Sequence, residues 1–228
     1  MRGPAVIGFL GGTGPQGRGL GLRFALAGYS VMLGSRSAER AEAQAAGIKI
    51  LARGADVRGG ANEEVAAESE VCFIALPYEG QRPTLESLTG QLEGKLVVNC
   101  VNALALDGGP HLLNVEAGSS AEECRQLLPG ARVTAAFHTV SAPKLLDPDS
   151  ALEGDVPVCG DDPADREAVV RLANVIGGLR GVHAGPLRHS RTLEAMTALI
   201  ISINTLYRTS AGVRFTGIDG EDNRADGS

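Results

Sequence analysis

The sequence predicts an α/β protein built on a doubly wound, mainly parallel sheet, with a small C-terminal α/β extension that ends in a long apolar helix. Three observations predict it. Short β-rich runs alternate with helical runs along the chain, the pattern of a parallel sheet covered on both faces. The first run, Ala5–Leu10, is apolar throughout and ends in glycines, as a central buried strand requires. Glycine is overused at 31 of 228 residues, about twice its average share. With no collagen period, that excess implies many tight turns and close backbone approaches.

Composition removes several classes. With 43% hydrophobic and 21% charged residues, intrinsic disorder and a coiled coil are excluded. A chain of 228 residues buries enough surface to need no metal or disulfide staple. The net charge of −6 argues against nucleic-acid binding, which needs a basic footprint. No Trp and only 4% aromatics disfavour carbohydrate and base-stacking platforms. Cys72, Cys100, Cys124 and Cys159 form no CxxC and fit neither a zinc ribbon nor a disulfide framework, so a reducing cytoplasm is expected. No apolar run approaches the ~20 residues of a spanning helix, and MRGPAVIGFLGG is too short and too weakly charged for a secretory signal.

The elements follow in order. Gly14–Ala27 reads as a helix with Leu20, Phe24 and Ala27 on one face, stopped by Gly28. Ser30–Gly34 is a second strand and Ala38–Arg53 a helix of strong formers. Asp56–Gly59 is a short third strand, after which Asn62 is expected to cap a brief helix through Glu68. Val71–Leu76 is a strand halted by Pro77, followed by a helix over Thr84–Leu92 and a strand over Lys95–Cys100.

Val101–Ser120 breaks the rhythm with Gly108, Gly109, Pro110, His111 and Gly118, and a loop of that length is usually functional or mobile. Helix Ser120–Leu128 and strand Arg132–Phe137 complete a six-stranded unit. Val156–Cys159 and Val182–Ala184 extend the sheet around a helix at Pro163–Ile176, with Asp161 and Asp162 at its positive end. The last helix, Ser190–Ser210, carries Leu193, Met196, Leu199, Ile200, Ile203 and Leu206. That stripe is wider than one docking face needs, so a homodimer interface competes with burial inside the chain. The polar tail Asp219–Ser228 is expected to fray.

One motif carries chemistry. Gly12-Thr13-Gly14-Pro15-Gln16-Gly17 matches GxGxxG, and it follows an apolar strand and opens a helix, the context its mechanism demands. Gly12 allows the tight turn, Gly14 lets a pyrophosphate approach the backbone, and Gly17 lets helix and strand pack closely. Pro15 presets the first helical turn, and the helix N-terminus offers N–H groups to phosphates. The competing reading is a structural turn. This is a Rossmann-type dinucleotide site, and a dinucleotide-binding domain is expected over 1–150 with a smaller C-terminal domain over 151–228.

The end of the second strand selects the dinucleotide. An NAD site usually places a carboxylate there for the ribose hydroxyls, whereas this chain has Gly34-Ser35-Arg36-Ser37 with Arg40 one turn beyond. Guanidinium groups bind a 2′-phosphate bidentately and a serine hydroxyl adds a bond, so NADP(H) is expected over NAD(H) unless both arginines are only solvated. No GxSxG elbow, HExxH or paired carboxylates appear, and no metal site is expected. Of His111, His138, His183 and His189, only His138 follows a strand at the carboxyl edge where ligands bind open α/β sheets. A lone histidine there is more often structural.

With these motifs in hand, the chain resembles the F420-dependent NADP reductases. The likeness runs over nearly the whole sequence, through GFLGGTGPQGRGLGLRFALAGYSVMLGSRSAERAEA, AAFHTV, GDVPVCGDD and LRGVHAGPLRHSRTLEAMTALIISIN. It implies reversible hydride transfer between NADP(H) and the deazaflavin ring of coenzyme F420, with ring positioning rather than an essential acid–base residue carrying catalysis. By the same resemblance Thr13, Gly14, Pro15 and Gln16 hold the pyrophosphate, and Ser35, Arg36 and Arg40 the 2′-phosphate. Leu76, Pro77, Tyr78, Asn102 and Ala142 lie around the nicotinamide, with Ala211 returning from the C-terminus. Lys144, Arg188 and Arg191 are candidates for the anionic F420 tail, and His138 for a proton relay. Val101–Ser120 and Ser141 depart from the family pattern. The alternatives are an NADPH reductase of another acceptor (a flavin, an imine or a metal chelate) and, from a different class, a non-catalytic NADP-sensing protein.

Overall fold

The computed structural model describes residues 5–218, so the expected fraying of Asp219–Ser228 lies outside the described residues. The chain runs β1 (Val6–Leu10), α1 (Pro15–Leu26), β2 (Ser30–Ser35), α2 (Ala38–Leu51), β3 (Val57–Ala61), α3 (Asn62–Glu68) and β4 (Val71–Ile74). It continues through α4 (Tyr78–Ser87), α5 (Thr89–Leu92), β5 (Leu96–Asn99), β6 (Leu104–Ala105), β7 (His111–Leu112), α6 (Ser120–Leu127) and β8 (Arg132–Ala135). The last elements are α7 (Ala142–Leu146), β9 (Gly154–Gly160), α8 (Pro163–Asn174), β10 (Leu179–His183), a short 3-10 turn (Leu187–His189) and α9 (Ser190–Tyr207).

Eight strands form one sheet in the order β10-β9-β8-β5-β4-β1-β2-β3. The six strands from β3 to β8 are parallel. β9 turns antiparallel to β8 through Thr134–Gly160 and Ala135–Cys159, and β10 runs parallel to β9. The expected mainly parallel, doubly wound sheet is therefore present, and the residues after 150 continue it rather than starting a second one.

Apolar side chains fill both faces because buried parallel strands present them on both. On one face Phe9 stacks on Phe73 at 5.0 Å between ring centroids, and Phe24 and Phe137 complete the cluster. On the other, Leu10, Ile74, Val97 and Leu187 pack beneath the helices. Along α9, Leu193 and Ile200 are buried whereas Leu199 and Leu206 are 61% and 79% exposed, so only part of its apolar stripe is used within the chain.

Four local expectations are corrected. The helix expected over Thr84–Leu92 begins earlier, at Tyr78, and breaks at Leu88. Pro83 lies inside α4, where its missing N–H leaves the Glu79 carbonyl without an intrahelical donor. Asn62 does not cap α3: Ala61 is the N-cap, and the Asn62 amide is engaged elsewhere. β8 stops at Ala135 because Phe137 turns to φ +65°. The 101–120 stretch holds the small β6–β7 hairpin, and α7 is a five-residue helix too short to show a periodic signal.

Candidate functional site

The glycine loop sits at the carboxyl end of β1. Gly11 takes φ +71°, a region only glycine enters cheaply, and Gly12 N–H donates to the Phe9 carbonyl (3.1 Å) to close the turn. A Cβ on Gly12 would lie 2.8 Å from the Phe9 carbonyl, and one on Gly17 would lie 2.6 Å from Gly12 Cα. Around Gly14 the nearest atoms to such a Cβ are backbone oxygens at 3.8 and 4.0 Å. The first and third glycines are thus required by packing within the chain, whereas Gly14 opens space above the loop.

No side chain caps α1, although Ser37, Ser119 and Asp162 cap α2, α6 and α8. Its first-turn N–H groups point toward that space with the positive end of the helix dipole. Thr13 and Pro15 stand at this end. Gln16 is tied down: its Nε2 donates to the Phe137 carbonyl at 3.0 Å, leaving its backbone N–H as the group it offers an anion.

Asn62 is the residue that sequence reasoning misread. Its Oδ1 accepts the Gly11 N–H at 3.1 Å, and a Cβ on Gly34 would lie 2.6 Å from that oxygen. Asn62 therefore links the β1 loop to the end of β2, a tertiary role with no sequence signal, because Asn before a helix also reads as a cap.

The β2 end delivers the predicted arginines. Ser35 is buried and its Oγ accepts the Ser37 N–H (3.2 Å), while Ser37 caps α2 by accepting the Arg40 N–H (3.3 Å). Arg36 and Arg40 are exposed, and among the described residues neither guanidinium has a protein partner. Arg36 shares a groove of about 540 Å³ with Asn62, Leu76, Pro77 and Glu79. Tyr78 begins α4 beside it, half-buried, its phenol pushed up by burial and by Glu123.

A second group lies where β5 and β8 end. His138 is buried, and neither ring nitrogen makes a hydrogen bond of good geometry among the described residues. Burial pulls it down to about 4, against a weaker effect of the Val101 backbone, so the ring is neutral at pH 7. The His138 carbonyl accepts from Thr197 Oγ1 (3.1 Å) and lies 3.5 Å from Asn102 Nδ2. Thr197 was hidden in the apolar stripe of α9.

The C-terminal return forms the third group. Ala211 N–H donates to Asn204 Oδ1 (2.6 Å), and Ala211 lines a pocket of about 20 Å³ with Val140, Ser141 and Lys144. Ala142 opens α7, whose carbonyl end lies against Gly19 of α1. Arg188 is exposed. Arg191 is exposed too, but donates to the Gly118 carbonyl at 3.0 Å. Among the described residues, no cluster of three or more His, Cys, Asp or Glu is arranged to hold a metal.

Fold and site together define a nucleotide-binding α/β protein of the Rossmann type. A family model described as "NADP oxidoreductase coenzyme F420-dependent" matches residues 6–103. The F420-dependent NADP reductase of Methanocaldococcus jannaschii is 38% identical, covering 93% of this chain and 99% of that protein. The enzyme of the same name from Methanothermobacter marburgensis is 35% identical, covering 93% and 98%. A crystal structure of a proposed F420-dependent NADP reductase from Arthrobacter sp. FB24 superposes with a TM-score of 0.79 at 24% identity, over 93% of this chain and 99% of that one, and so shares the fold. The chain belongs to the F420-dependent NADP reductase family.

Proposed function

We infer that the protein is an oxidoreductase that moves a hydride reversibly between NADP(H) and coenzyme F420. The observation that carries this reading is full-length similarity to two reductases of that name, joined to a glycine loop open at Gly14. When bound, the dinucleotide supplies the hydride, and the deazaflavin takes it up together with a proton.

The chain's own groups fit such a cofactor. Thr13, Gly14, Pro15 and Gln16 surround the pyrophosphate at the uncapped start of α1. Ser35, Arg36 and Arg40 bind the 2′-phosphate, and the two unpartnered guanidinium groups support that assignment. Leu76, Pro77, Tyr78, Asn102 and Ala142 shape the ring slot and keep it dry, and Ala211 closes it from the C-terminal part, so that 1–150 binds NADP and 151–228 covers the reacting rings.

His138 acts by shape and through its carbonyl, since an imidazole that burial holds neutral moves no proton readily. A proton for the deazaflavin then comes from water. Lys144 and Arg188 are better placed than Arg191 to meet the F420 tail, because Arg191 is already engaged. The exposed Leu199, Leu206 and Tyr207 of α9 support a homodimer, and the protein works in the cytoplasm on small molecules, without nucleic acid or membrane. Spectrophotometry of F420 with NADPH and with NADH tests the reading: reduction with NADPH and little with NADH is expected.

A further inference from the structure

The 101–120 stretch is the longest departure from the alternating pattern, and one side chain holds both its ends. Glu194, on the first turns of α9, is 1% exposed. One carboxylate oxygen accepts the Ala103 N–H at 3.2 Å and the other accepts the Ser120 N–H at 2.8 Å. These amides lie 17 positions apart in the chain. Neighbouring bonds repeat the pairing: Ser190 Oγ meets Ser119 Oγ at 2.7 Å, and Arg191 reaches the Gly118 carbonyl. Inside the excursion, Leu113 N–H returns to the Ala103 carbonyl (2.9 Å), so the hairpin hangs from the same point.

We propose that Glu194 is a positioning residue: its carboxylate rivets both ends of the 103–120 excursion to α9 and thereby fixes Asn102 beside the His138 carbonyl. The geometry favours this over a purely local cap. Ser120 already has Ser119 to cap its helix, and a cap does not explain the bond to Ala103. Asn102 precedes Ala103 directly, and Thr197, one turn beyond Glu194 on α9, holds the His138 carbonyl from the other side. The same helix therefore sets both backbone segments that border the proposed ring slot. An ionised carboxylate accepts two N–H bonds with separate oxygens, whereas a protonated one surrenders acceptor capacity. The groups facing it are Arg191 on its own helix, Glu122 of α6 and Tyr78 of α4. Burial raises it to about 7, against the two amide bonds and Arg191.

The proposal rests on the reading of Asn102 as a ring-slot residue, and its test separates the two. Hydrogen exchange, corrected for intrinsic rates, is followed over residues 101–120 in wild type, Glu194→Gln and Glu194→Asp, with kcat and KM for NADPH in F420 reduction from pH 6 to 8.5. Expected are a tenfold or greater loss of protection over 101–120 in Glu194→Gln, a tenfold or greater fall in kcat with KM for NADPH within threefold, and loss of the kcat limb near pH 7. Glu194→Asp keeps the charge but has a shorter reach, so it retains the limb at reduced kcat, and it carries the test alone if the amide variant does not fold. Unchanged protection, or a persisting pH limb in Glu194→Gln, overturns the proposal. If wild type does not reduce F420, the functional reading falls, and exchange over 101–120 alone decides whether Glu194 is the rivet.

Discussion

Gly17 packs directly on Gly12, so closely that a methyl group on Gly17 would reach to 2.6 Å from Gly12 Cα, while one on Gly14 meets nothing nearer than 3.8 Å. The two positions of one motif therefore answer to different demands. Gly17→Ala forces the start of α1 away from the loop and is expected to cost about 1–3 kcal/mol of stability together with NADPH affinity. Gly14→Ala leaves the melting temperature within roughly 2 °C, since no atom must move, but fills the anion space and weakens NADPH at least tenfold. Thermal melts and fluorescence titration with NADPH read both variants.

Arg36 and Arg40 stand exposed at the end of β2 with no protein partner among the described residues, so removing them disturbs no internal bond. Each charge-assisted bond to a 2′-phosphate is worth about 1.5–3 kcal/mol. Arg36→Ala is expected to raise Kd for NADPH by roughly 10–100-fold and to leave the much weaker Kd for NADH within threefold. Equal losses for both nucleotides would remove Arg36 from the phosphate site.

His138 makes a pH prediction with a defined sign. Its folded value, about 4, lies below the unfolded value near 6.5. The unfolded chain therefore takes up a proton that the folded chain refuses, and stability present above pH 6.5 is lost as pH falls toward 4, by roughly 3 kcal/mol. Glu194, raised to about 7, works in the opposite sense, its contribution declining as pH rises from about 4.5 to 7. The measurement is accordingly a difference: urea melts of wild type and His138→Gln between pH 4 and 7, with a flatter acid dependence expected in the variant.

The C-terminal return is held by the buried Asp155 carboxylate and the part-exposed Arg180 guanidinium. Arg180 forms two 2.8 Å bonds to the Asp155 carboxylate and donates to the Phe215 and Ile218 carbonyls, and Asp155 accepts the Phe215 N–H at 2.6 Å. Burial pushes Asp155 up, but Arg180 and that N–H outweigh it and hold the carboxyl below its ordinary value. Its stabilising contribution is thus present at neutral pH and lost as pH falls through that lowered value. Asp155→Asn is expected to lose roughly 2 kcal/mol and to make residues 209–218 the first site of limited proteolysis.

The parts of this molecule legible in its sequence are those where local pattern and tertiary demand coincide. The apolar β1 run, the glycine motif and the Ser35–Arg36 strand end each carry their reason in adjacent residues, and all three stand where expected. At Asn62 a cap and a cross-link to Gly11 need the same side chain before a helix, and only the packed β1 loop distinguishes them. Thr197 and Glu194 look like interruptions of an apolar stripe until α9 lies against the ends of β5 and β8. α7 and the β6–β7 hairpin are too short to generate a period, and their positions follow from contacts with α1 and α9.

Hydride passage between NADPH and coenzyme F420 can be watched directly. The most direct test mixes purified protein with NADPH and oxidised F420 and follows the deazaflavin absorbance, repeated with NADH. Rapid bleaching is expected with NADPH and little with NADH. Tight NADPH binding without any bleaching would contradict hydride transfer to F420.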